Sequence, residues 1–279
     1  MTSVRGFVQV DVFTSVPLAG NPLAVVVDAE GLTEERMAGL ARWLNLSETT
    51  FLLPPTDPRA DYRVRIFTPG GELPFAGHPT LGSCHVWLAT GAVPREDGVV
   101  VQQCGVGLVR VRREGTLLAF GAPSLIRAGA VDTGVRTRVL EALGLAETQV
   151  REVSWTDNGP GWVSVLVRDA RSVLDLRPDL AAMGDLAVGV VGPHPGGSEC
   201  RFEVRAFAPG HGIAEDPVTG SLNAGLAQWL IGSGHAPDSY VVSQGTALGR
   251  SGRVHVTRDD DGIWIGGAVT PVVQGSVTL

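Results

Sequence analysis

An internal copy constrains this chain more than any other feature. Arg65-Ile66-Phe67-Thr68-Pro69-Gly70 recurs as Arg205-Ala206-Phe207-Ala208-Pro209-Gly210, an offset of 140 in a chain of 279 residues. Each copy runs on into a small-residue helix start. The first is Ala76-Gly77-His78-Pro79-Thr80-Leu81-Gly82, and the second is Thr219-Gly220-Ser221-Leu222-Asn223-Ala224-Gly225, now offset by 143. A strand, a Pro-Gly turn and a glycine-led helix are therefore used twice, and the length suffices for two domains of about 100–150 residues each. Gly77 and Gly220 let a backbone approach a ligand closely, and each precedes helix amides that lack intrahelical partners. Two such starts facing each other across a domain cleft would hold an anion and a developing enolate.

The remaining pattern is rich in short strands. Phe7–Phe13 alternates and reads as a strand, followed by a turn-rich loop at 14–22 and a strand at Leu23–Val27. Thr33 is placed to cap a helix through about Asn45, with Met37, Leu40, Ala41 and Leu44 as its apolar stripe. Leu46–Leu53 reads as a short polar entry to an apolar strand, and further strands are expected at 62–67 and at about 98–104, 106–112 and 115–120. The helix from Pro79 to about Thr90 is small or apolar nearly all round, which predicts burial on every side. Pro123–Gly134 reads as a linker, dividing the chain into 1–125 and 126–267. The second half repeats the grammar, with helices near 135–143, 178–183 and 221–231 and strands near 150–155, 162–168 and 200–207. Many short strands about one buried helix, twice over, predict an α+β protein of two barrel-like halves rather than a parallel βαβ winding.

Composition removes several chemistries. All 22 basic residues are arginine, so a lysine Schiff base and a Walker A phosphate loop are both impossible. A net charge of −7 with no basic run argues against nucleic-acid binding. Cys84, Cys104 and Cys200 are odd in number and widely spaced, so neither a zinc knuckle nor a disulfide framework is indicated. His78 and His85 are seven apart and no HxxxH occurs, so no metal ligands are assigned. With no apolar signal region or membrane-length apolar run, a soluble cytoplasmic protein is expected.

Four residues carry candidate chemistry. Glu48, between a helix end and an apolar strand, is either a surface glutamate or a partly desolvated base that also returns its proton. His78 stands at a helix N-terminus, where the dipole disfavours its protonation. It is a neutral proton shuttle or a capping and packing histidine. Asp216 lies just ahead of the second helix, as a structural cap or a functional carboxylate. Ser221 takes the place of His78 in the repeat and either caps its helix or bonds a ligand. Ser221, His78 and Asp216 also supply the residue types of a serine hydrolase, although Thr219-Gly220-Ser221-Leu222-Asn223 lacks the Gly-x-Ser-x-Gly elbow.

Four segments together resemble the PhzF-like isomerases of phenazine biosynthesis, within the diaminopimelate-epimerase-like fold. They are Asp11-Val12-Phe13-Thr14 with Gly20-Asn21-Pro22; Asn45-Leu46-Ser47-Glu48-Thr49; Arg65–Pro69 leading to Phe75-Ala76-Gly77-His78-Pro79-Thr80; and Phe207-Ala208-Pro209 leading to Glu215–Ser221. The resemblance covers nearly the whole chain. It implies two pseudo-symmetric domains, each a barrel-like sheet around a central helix, with 268–279 completing the first. It implies a cofactor-independent isomerase acting on a small unsaturated carboxylate, and a homodimer. Glu48 is then the acid/base, with His78 and Asp216 assisting, and Ser221, Gly77, Gly220, Ser47 and Asn21 binding substrate. Epimerases of this fold use two cysteines at the helix starts. Here His78 and Ser221 stand there, which disfavours a racemase. The rival reading is a non-catalytic small-molecule-binding or interaction protein on the same fold.

Overall fold

The computed structural model of the protein describes residues 3–279. It divides into two units, one running to Gly121 and resuming at Gly266–Leu279, the other formed by Ala122–Ile265.

The first unit opens with the hairpin β1 (Val4–Val12) and β2 (Asn21–Val26), whose register runs from Phe7 opposite Val26 to Val12 opposite Asn21. Helix α1 (Glu34–Leu44) crosses over to β3 (Thr49–Leu53), which lies parallel to β2. The Thr33 hydroxyl accepts the Arg36 N–H, and Glu34 and Glu35 favour the positive end of the dipole. Met37, Leu40 and Ala41 are buried against Phe51, Leu53 and Phe67. Asn45 ends the helix in the left-handed region at φ 53°, a conformation its short polar side chain tolerates. That reversal feeds Ser47 and Glu48 into β3.

Strands β4 (Tyr62–Thr68) and β5 (Gly71–Leu73) form a tight hairpin leading into α2 (Gly77–Ala89); β6 (Val99–Cys104), β7 (Gly107–Glu114) and β8 (Leu117–Gly121) follow. β4 is antiparallel to β3 and parallel to β6. Helix α2 has no polar stripe, and His78 through Cys84 are buried without a break, as its all-round apolar character requires. Its Gly82 sits on the sheet so closely that an added Cβ would lie 2.5 Å from Leu23 Cδ2.

The second unit comprises β9 (Arg127–Ala130), α3 (Thr133–Leu143), β10 (Val150–Asp157), β11 (Trp162–Val167), α4 (Ala170–Leu174), α5 (Leu180–Met183), β12 (Ala187–Pro193), β13 (Phe202–Ala208), β14 (Ile213–Asp216), α6 (Gly220–Gly232), β15 (Ser239–Gln244), β16 (Gly252–Asp259) and β17 (Gly262–Gly267). Its pairings from β10 to β16 reproduce those from β1 to β7: β11 is parallel to β12, β12 antiparallel to β13, and β13 parallel to β15. The final strand β18 (Val269–Thr278) returns to pair with β1, as β9 pairs with β10.

The copy extends to side chains. Arg65 makes a bidentate bond to Glu72 across the first tight hairpin, and Arg205 makes the same fork to Glu215 across the second. Gly225 of α6 occupies the place of Gly82, where an added Cβ would strike the Thr156 carbonyl oxygen. The result is an α+β protein in which each unit wraps strands about one buried helix.

Two local expectations are corrected. The stretch 123–134 is not a plain linker, because β9 pairs with β10 and Asp132 caps α3 by accepting the Val135 N–H. All four residues of β9 are exposed, so burial imposed no alternation on its sequence. Helix α4 and strand β12 lie on either side of the expected helix near 178–183, in stretches where no element was expected. Among the described residues no helix is long and apolar enough to cross a membrane.

Candidate active site

In the first unit, three elements bring together the polar residues of interest. The turn after α1 delivers Glu48, which at 9% exposure is a buried carboxylate and not a surface one. His78, the second residue of α2, is also buried, and its Nε2 lies 3.3 Å from Glu48 Oε2. Asn21, the first residue of β2, is fully buried, and its Nδ2 lies 3.4 Å from His78 Nδ1. The loop leading to Asn21 is tied down by the buried Asp11, whose Oδ2 accepts the Gly20 N–H at 3.0 Å. Ser47 is half-buried beside Glu48, and Gly77 is buried at the start of α2.

Burial pushes the His78 imidazole down to about 3, so the ring is neutral near pH 7. Its position two residues into a helix acts in the same direction. Neither ring nitrogen caps α2, whose N-cap is Ala76 without a side-chain bond. A neutral imidazole against a buried carboxylate is an arrangement that can hold or pass one proton.

The second unit holds the other candidates. Asp216 ends β14 and is buried, and its Oδ2 accepts the Thr219 hydroxyl at 2.6 Å. Gln244, fully buried at the end of β15, locks this loop to α6. Its Oε1 accepts the Thr219 N–H and the Asn223 amide, while its Nε2 donates to Thr219 Oγ1 and to the Asp216 carbonyl. In the first unit the buried Gln102 has the matching task, donating to Thr80 Oγ1 of α2 and accepting from Tyr62 OH. Gly220 is buried at the start of α6, and Ser221 follows it.

Ser221 does not cap its helix, because the N-cap position belongs to Thr219. Its Oγ instead accepts the Trp162 indole N–H at 3.0 Å, and its carbonyl accepts the Asn158 amide. An indole N–H donates only, so the Ser221 hydroxyl hydrogen is left to donate elsewhere. Trp162, Gln244, Gln102 and Asp11 were not singled out as site residues from the sequence. Their contacts are long-range in the chain, and no local pattern announces them.

Comparison with known proteins places the chain in a family. The model of the phenazine biosynthesis-like protein family matches residues 10–275. The chain belongs to that family. It is 34% identical to the trans-2,3-dihydro-3-hydroxyanthranilate isomerase of Pseudomonas aeruginosa over 260 residues, covering 92% of this chain and 91% of that protein. It is 35% identical to antisense-enhancing sequence 1 of Schizosaccharomyces pombe, covering 97% and 98%. Among solved structures, a PhzF-family protein of Enterococcus faecalis superposes with a TM-score of 0.83 at 25% identity, covering 99% of this chain and all of that one.

By this membership the chain is an isomerase of PhzF-like type. The two glycine-led helix starts of its PhzF-like fold carry His78 and Ser221, and its three cysteines lie elsewhere. Cys84 is buried mid-helix and its thiol is pushed up to about 12 by burial, which makes it a packing residue. Among the described residues no three His, Cys, Asp or Glu side chains are grouped to hold a metal ion.

Proposed function

We propose that this chain shifts a proton along a small unsaturated carboxylate, with Glu48 as the acid/base. The observation that carries the reading is the buried Glu48–His78 contact at the start of a glycine-led helix. Glu48 removes a proton from an activated carbon; the C–H bonding pair enters the conjugated system. Protonated Glu48 then returns a proton to the far end of that system, the new C–H bond forms with the delocalised electron pair, and the double bond moves. The charge developed in between is met by the helix amides behind Gly77. Asp216, Ser221, Ser47 and Asn21 are assigned to substrate recognition and to holding the site's polar groups. One positioned acid/base contributes about 10²–10⁴-fold, so electrostatic stabilisation and exclusion of water supply much of the remainder. No external cofactor enters this scheme.

The similarity to a trans-2,3-dihydro-3-hydroxyanthranilate isomerase supports a cyclic diene bearing a carboxylate as the substrate class. The test is to incubate the protein with trans-2,3-dihydro-3-hydroxyanthranilate and a panel of related dienes in deuterated water. Isomerisation, with deuterium at the newly formed C–H, is expected for at least one of them. Binding without isomerisation or exchange across the panel would favour a non-catalytic binding protein. A homodimer is proposed as the solution state, to be checked by sedimentation equilibrium.

A further inference from the structure

The two copies share a contact that the repeated sequence pattern does not explain. In the first unit, the leading residue of β2 reaches the second residue of α2: Asn21 Nδ2 lies against His78 Nδ1. In the second unit, the leading residue of β11 reaches the second residue of α6: Trp162 Nε1 donates to Ser221 Oγ. The side chains in the two pairs have nothing in common except the direction of the bond. In each, the strand residue is the donor and the helix residue the acceptor. For Trp162 that direction is forced, because the indole has no lone pair to offer.

We infer that Asn21 is a positioning residue that fixes the tautomer of His78. A donor held against Nδ1 requires a lone pair there, so the single proton of the neutral ring resides on Nε2. Nε2 lies 3.3 Å from Glu48 Oε2, a close approach without the alignment of a hydrogen bond. The consequence is specific. With Nε2 already protonated and Nδ1 engaged by Asn21, the ring has no free lone pair to take a proton from Glu48. His78 then presents an N–H, and not a second base, beside the Glu48 carboxylate. In the second unit the same device turns the Ser221 hydroxyl hydrogen away from Trp162. The backbone supports this arrangement on the Asn21 side: Asp11 holds Gly20 through its N–H, and a Cβ on Gly20 would collide with the Val12 carbonyl oxygen and the Thr14 side chain. Asn21 is therefore delivered by a loop with little room to adjust.

The inference rests on Glu48 being the acid/base, and its test separates the two. Nitrogen-15 NMR of histidine-labelled protein near pH 7 reads the tautomer directly, with no substrate present. In the wild type, the His78 signals are expected at protonated Nε2 and unprotonated Nδ1. In Asn21→Asp, which is isosteric but accepts at both oxygens, the proton is expected to move to Nδ1. The Nε2 lone pair would then oppose Glu48, and kcat on trans-2,3-dihydro-3-hydroxyanthranilate should fall ~10²–10⁴-fold with KM changing far less. A wild-type proton on Nδ1, or an unchanged tautomer in Asn21→Asp, would overturn the inference. So would a reversed tautomer with wild-type kcat. Should Asn21→Asp not fold, Asn21→Ala removes the donor, and a mixture of tautomers is expected in place of one; a single Nε2–H species there would also overturn it. If Glu48 is not the acid/base, the tautomer shift still appears while Glu48→Gln remains active.

Discussion

Lowering the pH on the wild-type protein and on His78→Gln side by side isolates what it costs to bury this histidine. The ring is held down to about 3 by burial, against an ordinary value of 6.5. A depressed pKa means the unfolded chain binds the proton before the folded one does. The stabilising contribution is therefore complete above about pH 6.5 and is lost progressively as the pH falls towards about 3. Within that window the slope for one proton is about 1.4 kcal/mol per pH unit. Between pH 6.5 and pH 5 the wild type should lose about 2 kcal/mol more than the variant, whose other titrating groups are the same. With a urea dependence of about 2 kcal/mol per molar, that is a midpoint shift of about 1 M. The assay is urea unfolding followed by tryptophan fluorescence at pH 7, 6 and 5. Parallel loss of stability in the two proteins would refute the reasoning, because it would mean His78 titrates alike folded and unfolded.

Three further outcomes follow from particular contacts. Gly225→Ala should destabilise by ~3 kcal/mol, because the new Cβ meets the Thr156 backbone carbonyl and the strand itself must move. Gly39→Ala, on a helix face where the nearest atom to the new Cβ is 4.0 Å away, should instead stabilise by ~0.5–1 kcal/mol; thermal melts of both variants check the contrast. Trp162→Phe keeps the packing but removes the donor to Ser221, and steady-state kinetics should show KM raised several-fold with kcat changed less.

What could be read from the sequence was what local chemistry enforces. The glycine-led helices were legible because each combines a turn, a glycine and an apolar run with no polar face, and that pattern has few other uses. The position of Glu48 was legible for the same reason, set between a helix cap and an apolar strand. Its burial was not, since nothing local distinguishes a carboxylate turned inward from one turned out. Strand β12 was hidden because its glycines serve close packing: a Cβ at Gly189 would meet Leu222, and one at Gly192 the Asp169 carbonyl. Buried on nearly every residue, it shows no alternation to count. Of the two readings of Ser221, the helix cap is excluded by two positions, because Thr219 already holds the N-cap. The partners that fix the site's polarity, Asn21 on His78 and Trp162 on Ser221, join residues 57 and 59 apart in the chain and emerge only once the copies are folded.

The most direct test of the central claim is turnover and deuterium incorporation by Glu48→Gln. The substitution keeps the shape and a hydrogen-bonding group beside His78 but cannot take up a proton. The account predicts isomerisation of trans-2,3-dihydro-3-hydroxyanthranilate reduced by at least ~10²-fold, with solvent deuterium absent from the product and the circular dichroism spectrum unchanged. Wild-type-like turnover and exchange in that variant would contradict it.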